Sequence, residues 1–397
     1  MPVVPAVNDS SSLTIDPLCE GFEVPEFVRR FEHIPGGEVV FGRGVLSQVG
    51  EKAVGLGAKR VLLVSDPGIK RVGHQERCIQ SLRDAGLEVI VFDAVRENPT
   101  TEDVDRCLAS VEGRAIDLIV GLGGGSSMDT AKGTNFILTN GGRMQDYWGV
   151  GKATKPMLPL IVIPTTSGTG SECQSFALIA DAETHMKMAC GDKKAAAAVA
   201  LLDPELTLTM PRAVTAFTGI DAMAHALETA VCLRRTEISI AYSKAAWQLL
   251  DAGFDRVLED PSDIVARAKM QLGAAFAGTA IENSMLGATH SCANPLTAHF
   301  RIVHGEAIGV MLPSVIRFNA KDPEAAAIYD SLGGAEALAS RIEALTARCD
   351  MAAKVSSLGV PETMLPTLAA EAAKQWTAQF NPVPVGEAEM ESLYRAA

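Results

Sequence analysis

Short apolar runs alternate with helical segments between residues 38 and 205, and this alternation constrains the fold more than any other feature of the chain. The predicted strands cover residues 60–65, 87–92, 115–120 and 158–163. The predicted helices cover residues 75–85 and 101–112, and a third begins at Ser127. Parallel strands need a helix-length connection, because each crossover must return to the same end of the sheet. We therefore expect an α/β domain with a doubly wound, mainly parallel, Rossmann-like sheet.

The pattern changes after Asp203. Strand-like runs end there, and segments rich in Ala, Leu and Glu follow with helical spacing. These segments cover residues 222–231, 237–258, 263–279, 305–319 and 335–357. The sequence predicts a leader over residues 1–30, an α/β domain over 31–203 and an all-α domain over 204–397.

Charge and hydropathy exclude several classes of protein. The 397 residues include 48 acidic and 35 basic side chains, which gives a formal net charge of −13. An acidic surface repels phosphate backbones and anionic lipids, so we expect neither nucleic-acid nor membrane binding. The longest apolar runs, at residues 157–164 and 195–202, are far shorter than a membrane span. Eight scattered cysteines without a CxxC pair indicate reduced thiols in the cytoplasm rather than a thiolate metal cage.

The first 25 residues contain Pro, Ser and Asp but lack the basic start and apolar block of a secretory signal. We interpret them as a leader without a fixed role. The alternative is a short targeting or docking peptide, for example Gly21–Phe31, whose apolar residues could share one side of a helix.

A glycine-rich turn, GLGGGSSMD over residues 121–129, follows the third predicted strand and opens a helix. Such a turn exposes backbone N–H groups at a helix N-terminus, where a pyrophosphate can bind. The alternative is a tight strand-to-helix turn without a ligand. The turn departs from the usual GxGxxG pattern, because Ser126 takes the place of the last glycine, and no acidic residue ends a following strand about 20 residues later.

Two further segments follow predicted strands of the same sheet. Asp66 ends the first strand, where it can bind a cofactor ribose or cap the turn that Asp66, Pro67 and Gly68 form. A ribose contact from Asp66 would favour NAD, because a 2′-phosphate would meet a negative charge. The segment PTTSGTGSE over residues 164–172 offers hydroxyl and backbone donors to a nucleotide, or is a loop with helix caps.

Asp221 and His225 are spaced i,i+4 in a predicted helix, which places the carboxylate and the imidazole on one face. His290 and His304 lie further along the same predicted domain. One carboxylate and three imidazoles suit Fe(II), Zn or Mn, and the donor types alone do not choose between these metals. The alternative is a surface Asp–His pair with two structural histidines.

In these motifs the chain resembles the iron-containing (group III) alcohol dehydrogenase family, which is related in fold to glycerol dehydrogenase and dehydroquinate synthase. The resemblance covers about residues 35–395. It rests on GGGSSMDTAK (123–132), on PTTSGTGSE and on LLDPELTLTMPRAVTAFTGIDAMAHALE (201–228). It implies a dinucleotide-binding domain, a helical metal-binding domain, an active site in the cleft between them, and a homodimer or larger homo-oligomer.

The family's functional positions carry over residue by residue. The resemblance implies four metal ligands: Asp221, His225, His290 and His304. It implies contacts with the cofactor at Asp66, Asn98, Gly124, Gly125, Ser126, Asp129, Thr165, Thr169 and Lys187.

The chain departs from the family at two places. Asn294 stands where many members have a histidine proposed to relay protons, and an amide does not titrate. Ile281 and Glu282 stand where relatives often have a Phe and a small residue beside the nicotinamide. Glu282 either points into the substrate pocket, where it would disfavour carboxylate-bearing aldehydes, or faces solvent.

We therefore expect an NAD(H)-linked oxidoreductase that interconverts small primary alcohols or diols and aldehydes by hydride transfer. Fe(II), with Zn as the alternative, would polarise the substrate oxygen. Three other functions stay open: a transhydrogenase that exchanges hydride between a hydroxyacid and an oxoacid on tightly held NAD, a lyase of the dehydroquinate synthase type, and an inactive NAD-binding protein, which only Asn294 suggests.

Overall fold

The computed structural model describes residues 37–184 and 186–397. The predicted leader and the possible docking peptide Gly21–Phe31 lie outside the described residues. The strands of the described part are β1 Glu38–Phe41, β2 Arg60–Val64, β3 Glu88–Phe92, β4 Leu118–Gly123, β5 Gly149–Val150, β6 Leu160–Pro164, β7 Phe176–Ala180, β8 Lys187–Gly191 and β9 Val199–Leu202.

The first half also contains five helices: α1 Val49–Gly55, α2 Pro67–Arg71, α3 His74–Asp84, α4 Thr101–Ser110 and α5 Gly125–Asn140. The second half contains α6 Arg212–Val231, α7 Glu237–Glu259, α8 Ile264–Glu282, α9 Ala288–Phe300, α10 His304–Asn319, α11 Pro323–Asp330, α12 Ala335–Arg348, α13 Leu365–Ala373 and α14 Glu387–Ala396. Within the described ranges, no helix is both long enough and apolar enough to cross a membrane.

Six strands form a parallel sheet in the order β1-β9-β6-β4-β2-β3. Strands β4, β6 and β9 are buried along their whole length, as expected for a sheet that helices cover on both faces. The chain passes from β2 to its neighbour β3 on one side and then crosses back to β4 on the other side of β2. This reversal creates a crevice at the carboxyl ends of β2 and β4, where open α/β sheets bind ligands. The predicted α/β fold with a parallel sheet is confirmed, and helices follow β9 as predicted.

A second sheet, in the order β5-β8-β7, was not expected from the sequence. Strands β7 and β8 pair antiparallel, and β5 has only two residues. The predicted strand at 115–120 is shifted, because β4 continues through the glycines to Gly123. The predicted helix at 335–357 is wrong beyond Arg348, since Asp350 adopts a left-handed backbone with φ of 56° that ends helical geometry. The domain boundaries themselves stay predictions.

Helix α8 joins the helical half to the sheet. Its buried Gln271 donates from Nε2 to the carbonyl oxygen of Pro164 at 3.2 Å and to that of Asp203 at 3.3 Å, at the carboxyl ends of β6 and β9. Seven residues further on, Gly278 packs backbone against backbone on Gly170. A Cβ on Gly278 would lie 2.3 Å from the Gly170 carbonyl oxygen. These contacts hold the loop after β6 directly against α8.

The Gly170 contact makes a testable prediction. Gly278→Ala should lower the free energy of unfolding by about 1–3 kcal/mol, because the added methyl group has no space. Gly55→Ala is the control, since a Cβ there meets nothing within 4 Å. We expect the control to stay within about 1 kcal/mol of wild type in urea titrations. Equal midpoints for the two variants would contradict the close packing.

Candidate metal centre and cofactor cleft

Three imidazole nitrogens converge on one carboxylate oxygen. Asp221 Oδ1 lies 3.4 Å from His225 Nε2, 3.3 Å from His290 Nε2 and 3.7 Å from His304 Nε2. Asp221, His225 and His290 are buried, and the ring of His225 stacks on that of His290 with centroids 4.8 Å apart. Helices α6, α9 and α10 thus bring all four predicted metal ligands together.

The donor set fits a bound cation. Asp221 Oδ1 and His290 Nε2 are buried and have no hydrogen-bond partner. Buried polar atoms are rarely left unsatisfied, so this pair indicates a ligand between them. The candidate ligand atoms of Asp221, His290 and His304 all lie within 4.8 Å of one another. Nitrogen and oxygen donors without sulfur suit a divalent transition metal such as Fe(II) or Zn.

Local packing explains why the four side chains meet. Asp221 and His225 are one turn apart on α6, which is buried from Gly219 to Val231. His304 begins α10, and a Cβ on the next residue, Gly305, would lie 2.1 Å from the carbonyl oxygen of Phe217 on α6. The glycine lets the first turn of α10 touch the backbone of α6, and this contact carries His304 to Asp221.

Glu228 fixes His290 from behind, although the sequence analysis did not single it out. Its Oε2 lies 2.5 Å from His290 Nδ1, and its Oε1 accepts the backbone N–H of Thr289 at 2.7 Å. Glu228 lies on the same buried helix as Asp221 and His225. Metal-binding histidines commonly donate their second ring N–H to a carboxylate, which fixes the tautomer and the ring orientation. The spacing of seven residues from Asp221 was the available signal.

Side chains also cap the N-terminus of α9, which carries His290. The N–H of Ala288 donates to Asn381 Oδ1 at 3.1 Å, and Asn381 Nδ2 donates to Asn319 Oδ1 at 2.7 Å. The free N–H groups of a buried helix end need such partners. The position of His290 therefore depends on Glu228 and on the segment that follows α13.

The electrostatics favour a cation at this centre. Burial raises the pKa of Asp221, but the three histidines outweigh it and hold that pKa well below its usual range. Burial lowers the pKa of His225, and it lowers that of His304 to about 3. Burial also opposes the charged form of His290, but the neighbouring carboxylates of Asp221 and Glu228 outweigh it and raise the pKa of His290 to about 9. The raised pKa of His290 shows that the two carboxylates favour a positive charge at this site, beside the neutral imidazoles of His225 and His304.

The glycine turn lies at the crevice between β2 and β4. Gly123 has a φ of 147°, and a Cβ there would lie 2.5 Å from Ser127 Oγ. A Cβ on Gly125 would lie 2.9 Å from Thr169 Cγ2, and one on Gly124 would lie 3.3 Å from Thr166 Cγ2. Side chains at these positions would fill the space before the N-terminus of α5. The bare backbone suits an approaching pyrophosphate.

Asp66 uses its two carboxylate oxygens differently. Oδ1 accepts from the N–H groups of Gly68 at 2.8 Å and Ile69 at 3.1 Å, so Asp66 caps α2. Oδ2 accepts from Ser127 Oγ at 3.3 Å and thus faces the glycine turn. The capping alternative is confirmed, and one oxygen also lies beside the crevice. A contact with ribose stays a prediction.

The other predicted cofactor residues contact one another around the crevice. Asn98, with a left-handed φ of 51°, donates its N–H to Ser126 Oγ at 3.2 Å. The N–H of Thr165 donates to the Gly123 carbonyl oxygen at 2.9 Å. Buried Asp129 accepts from Ser171 Oγ at 2.8 Å, so its carboxylate helps to hold the loop after β6.

Lys187 and the loop after β6 connect the crevice with the metal centre. Burial raises the pKa of Asp129 and lowers that of His304, and the charge of Lys187 acts on both groups by lowering their pKa values. A Cβ on Gly168 would lie 2.4 Å from Thr218 Cβ on α6. Burial lowers the pKa of His225, and the backbone of Gly168 opposes this effect. The two candidate sites are therefore neighbours.

The residues that depart from the family take defined positions. Asn294 lies one turn after His290 on α9 and donates from Nδ2 to Gln375 Oε1 at 3.1 Å. Ile281 is buried near the end of α8. The carboxylate of half-buried Glu282 accepts two hydrogen bonds from Ser175, which disfavours the alternative that Glu282 faces solvent. Both oxygens are engaged because α8 packs on the loop after β6.

The role of Glu228 is open to measurement. Glu228→Gln should weaken binding of Fe(II), Co(II) or Zn by about 10- to 100-fold, because an amide cannot accept from both Thr289 and His290. Competition with a chelator on anaerobic protein measures this affinity without any turnover. Glu237→Gln, an exposed change at the start of α7, is the control and should bind metal as the wild type does. Unchanged metal affinity in Glu228→Gln would contradict the proposed orientation.

Comparison with known proteins agrees with this geometry. Residues 36–204 match the family model "Iron-containing alcohol dehydrogenase", and residues 215–397 match "Fe-containing alcohol dehydrogenase family, C-terminal". Together the two models span the sheet and the helical half.

Individual relatives cover nearly the whole chain. Alcohol dehydrogenase 4 of Schizosaccharomyces pombe is 35% identical over 90% of this chain and 87% of its own length. The NAD-dependent methanol dehydrogenase of Bacillus methanolicus is 33% identical over 86% of this chain and 93% of its own. The crystal structure of a 1,3-propanediol oxidoreductase superposes with a TM-score of 0.87 at 31% identity, covering 93% of this chain and all of that one. The protein is an oxidoreductase and belongs to the iron-containing alcohol dehydrogenase family.

Proposed function

We propose that this protein interconverts small primary alcohols or diols and the corresponding aldehydes, with NAD(H) as the hydride carrier and Fe(II) as the metal. The observation that carries the proposal is the convergence of three imidazoles on Asp221 Oδ1 beside a glycine-lined crevice. The names of two relatives, an NAD-dependent methanol dehydrogenase and a 1,3-propanediol oxidoreductase, support short alcohols and diols as substrates.

Asp221, His225, His290 and His304 would hold the metal. Fe(II) bound there would act as a Lewis acid that polarises the substrate oxygen, and NAD(H) would accept or donate the hydride. Glu228 would keep the Nδ1 proton on His290 when the metal replaces the Nε2 proton, so that the Nε2 lone pair binds the metal. Burial keeps His225 and His304 neutral by lowering the pKa of each.

The crevice residues would align the cofactor. Gly123, Gly124 and Gly125 leave room for the pyrophosphate at the N-terminus of α5. Asp66 Oδ2 would accept from a ribose hydroxyl and would repel a 2′-phosphate. Fixed positions for cofactor and substrate turn hydride transfer into a unimolecular step, which removes much of its entropic cost.

The proton of the alcohol needs a different route from a histidine relay. Asn294 does not titrate, and its amide is bonded to Gln375. The proton would therefore leave through water and the ribose hydroxyls. On this route the enzyme lacks a side chain that acts as a general acid–base catalyst. Such a group usually contributes about 10²- to 10⁴-fold in rate.

The cellular setting belongs to the same proposal. The cysteines of the described residues form no disulfides, and most are buried, as expected in a reducing cytoplasm. We also propose a homodimer or larger homo-oligomer, on the strength of the family resemblance. An alcohol or aldehyde is the small-molecule partner.

The experiment is NADH oxidation by protein reconstituted anaerobically with Fe(II). The aldehydes are propanal, lactaldehyde, glycolaldehyde and a carboxylated aldehyde, with Zn-loaded and chelator-stripped protein as controls. We expect iron-dependent loss of NADH with at least one aldehyde. The kcat/KM with NADPH should be lower than with NADH by about tenfold or more, because the carboxylate of Asp66 would repel the 2′-phosphate of NADPH.

Three outcomes would contradict the proposal. NADH that binds but is not consumed with any aldehyde or metal would favour a lyase or a transhydrogenase. Turnover during which the cofactor never leaves the protein would identify the transhydrogenase. Full activity in chelator-stripped protein would exclude the metal from the mechanism.

A further inference from the structure

Glu282 ends α8 and binds the loop between β6 and β7. Its Oε2 accepts from the N–H of Ser175 at 2.9 Å, and its Oε1 accepts from Ser175 Oγ at 2.6 Å. Ser175 is buried and Glu282 is half-buried. Hydrogen bonds to a carboxylate are stronger than neutral ones. Because both donors belong to one residue, Glu282 fixes the backbone and the side chain of Ser175 together.

The other side of the same loop is bound to α5, the helix that follows the glycine turn. Buried Lys132 donates from Nζ to the carbonyl oxygens of Ser171 at 2.6 Å and Gln174 at 2.8 Å. Ser171 Oγ in turn donates to Asp129 Oδ1 at 2.8 Å. The loop is thus held between α5 and α8, with Glu282 as its charged contact on the α8 side.

Glu282 lies away from the end of the sheet at which ligands are expected to bind. With Glu172, it lines a small pocket whose other walls include Val39 and Ala197. Val39 lies near the amino end of β1, and Ala197 precedes β9. Ligands of open parallel sheets bind outside the carboxyl ends of the strands. The pocket beside Glu282 therefore lies toward the amino ends of the strands, opposite to the end at which the glycine turn lies.

We propose that Glu282 is a positioning residue for the cofactor: it holds the loop over residues 165–175 in its binding geometry and does not select substrates by charge. The inference rests on the proposed function, because this loop carries Thr165 and Thr169, which the family resemblance assigns to the cofactor. A loop that is ordered beforehand binds its ligand at a lower entropic cost. Loss of the carboxylate therefore weakens cofactor binding and leaves the discrimination between aldehydes unchanged.

The test uses Glu282→Ala, Glu282→Gln, Ser175→Ala and the double variant Glu282→Ala/Ser175→Ala, all loaded with Fe(II). Glu259→Ala is the matched control, because Glu259 also ends a long helix but forms an exposed ion pair with Arg348. NADH affinity is measured by fluorescence titration without aldehyde. Amide hydrogen exchange of residues 165–175 is measured without NADH, and the peptide that covers α9 serves as the internal reference.

We expect Glu282→Ala to raise the Kd for NADH by about tenfold, because two hydrogen bonds to a charged group are lost. Glu282→Gln keeps one acceptor and should recover part of the affinity. The double variant should bind NADH no more weakly than Glu282→Ala, since both changes break the same contact. Exchange in residues 165–175 should rise by about threefold or more. The control should stay within about twofold of wild type.

Two results would overturn the inference. The first is unchanged exchange of residues 165–175 in Glu282→Ala. The second is a Glu282→Gln variant that shifts the kcat/KM ratio between propanal and a carboxylated aldehyde in favour of the anion, which would assign Glu282 to the substrate pocket. Failure of the wild type to turn over any aldehyde would refute the proposed function instead, because exchange does not depend on turnover.

Discussion

The buried carboxylate of Asp221 is the constraint on which the rest of the structure depends. Its Oδ1 faces three imidazole nitrogens within 3.7 Å and accepts no hydrogen bond. A buried charge needs compensation, and without a metal only a protonated His290 can supply it, because the neutral imidazoles of His225 and His304 offer lone pairs rather than charge. A divalent cation satisfies the carboxylate and the imidazoles at once. The packing of α6, α9 and α10 brings these four side chains together at this point.

The supporting contacts extend from this centre to the sheet. Glu228 holds His290 and caps α9 with the same carboxylate, so the orientation of the ligand and the position of its helix are coupled. On the other side, Gly168 packs on α6 and Gly170 packs on α8. The loop after β6 thereby spans the distance between the proposed metal ligands and the predicted cofactor residues. A metal that polarises oxygen and a nicotinamide that carries hydride are useful only when this distance is fixed.

The sequence predicts the parts of this arrangement that depend on local spacing. The i,i+4 pair Asp221 and His225 shows its shared helical face directly, and the glycine turn after β4 follows from strand, glycine and helix signals. His290 and His304 are candidate ligands by residue type, and only the family resemblance assigns them to the site, because their distance to Asp221 arises from the packing of three helices. The contact between Ser175 and Glu282 joins residues 107 positions apart. Strand β5, with two residues, is too short to leave a periodic pattern. Asp350 ended α12 through a backbone angle that helical spacing does not reveal.

The account is tested most directly by measuring metal content and NADH affinity together in His290→Ala. We predict that the variant loses bound Fe(II) and aldehyde-dependent NADH oxidation, because Nε2 of His290 is one of the proposed ligands. Its Kd for NADH should stay within about threefold of wild type, since the crevice between β2 and β4 contains none of the four metal ligands. NADH oxidation at the wild-type rate by metal-free His290→Ala would contradict the central claim that this buried cluster is the catalytic metal centre.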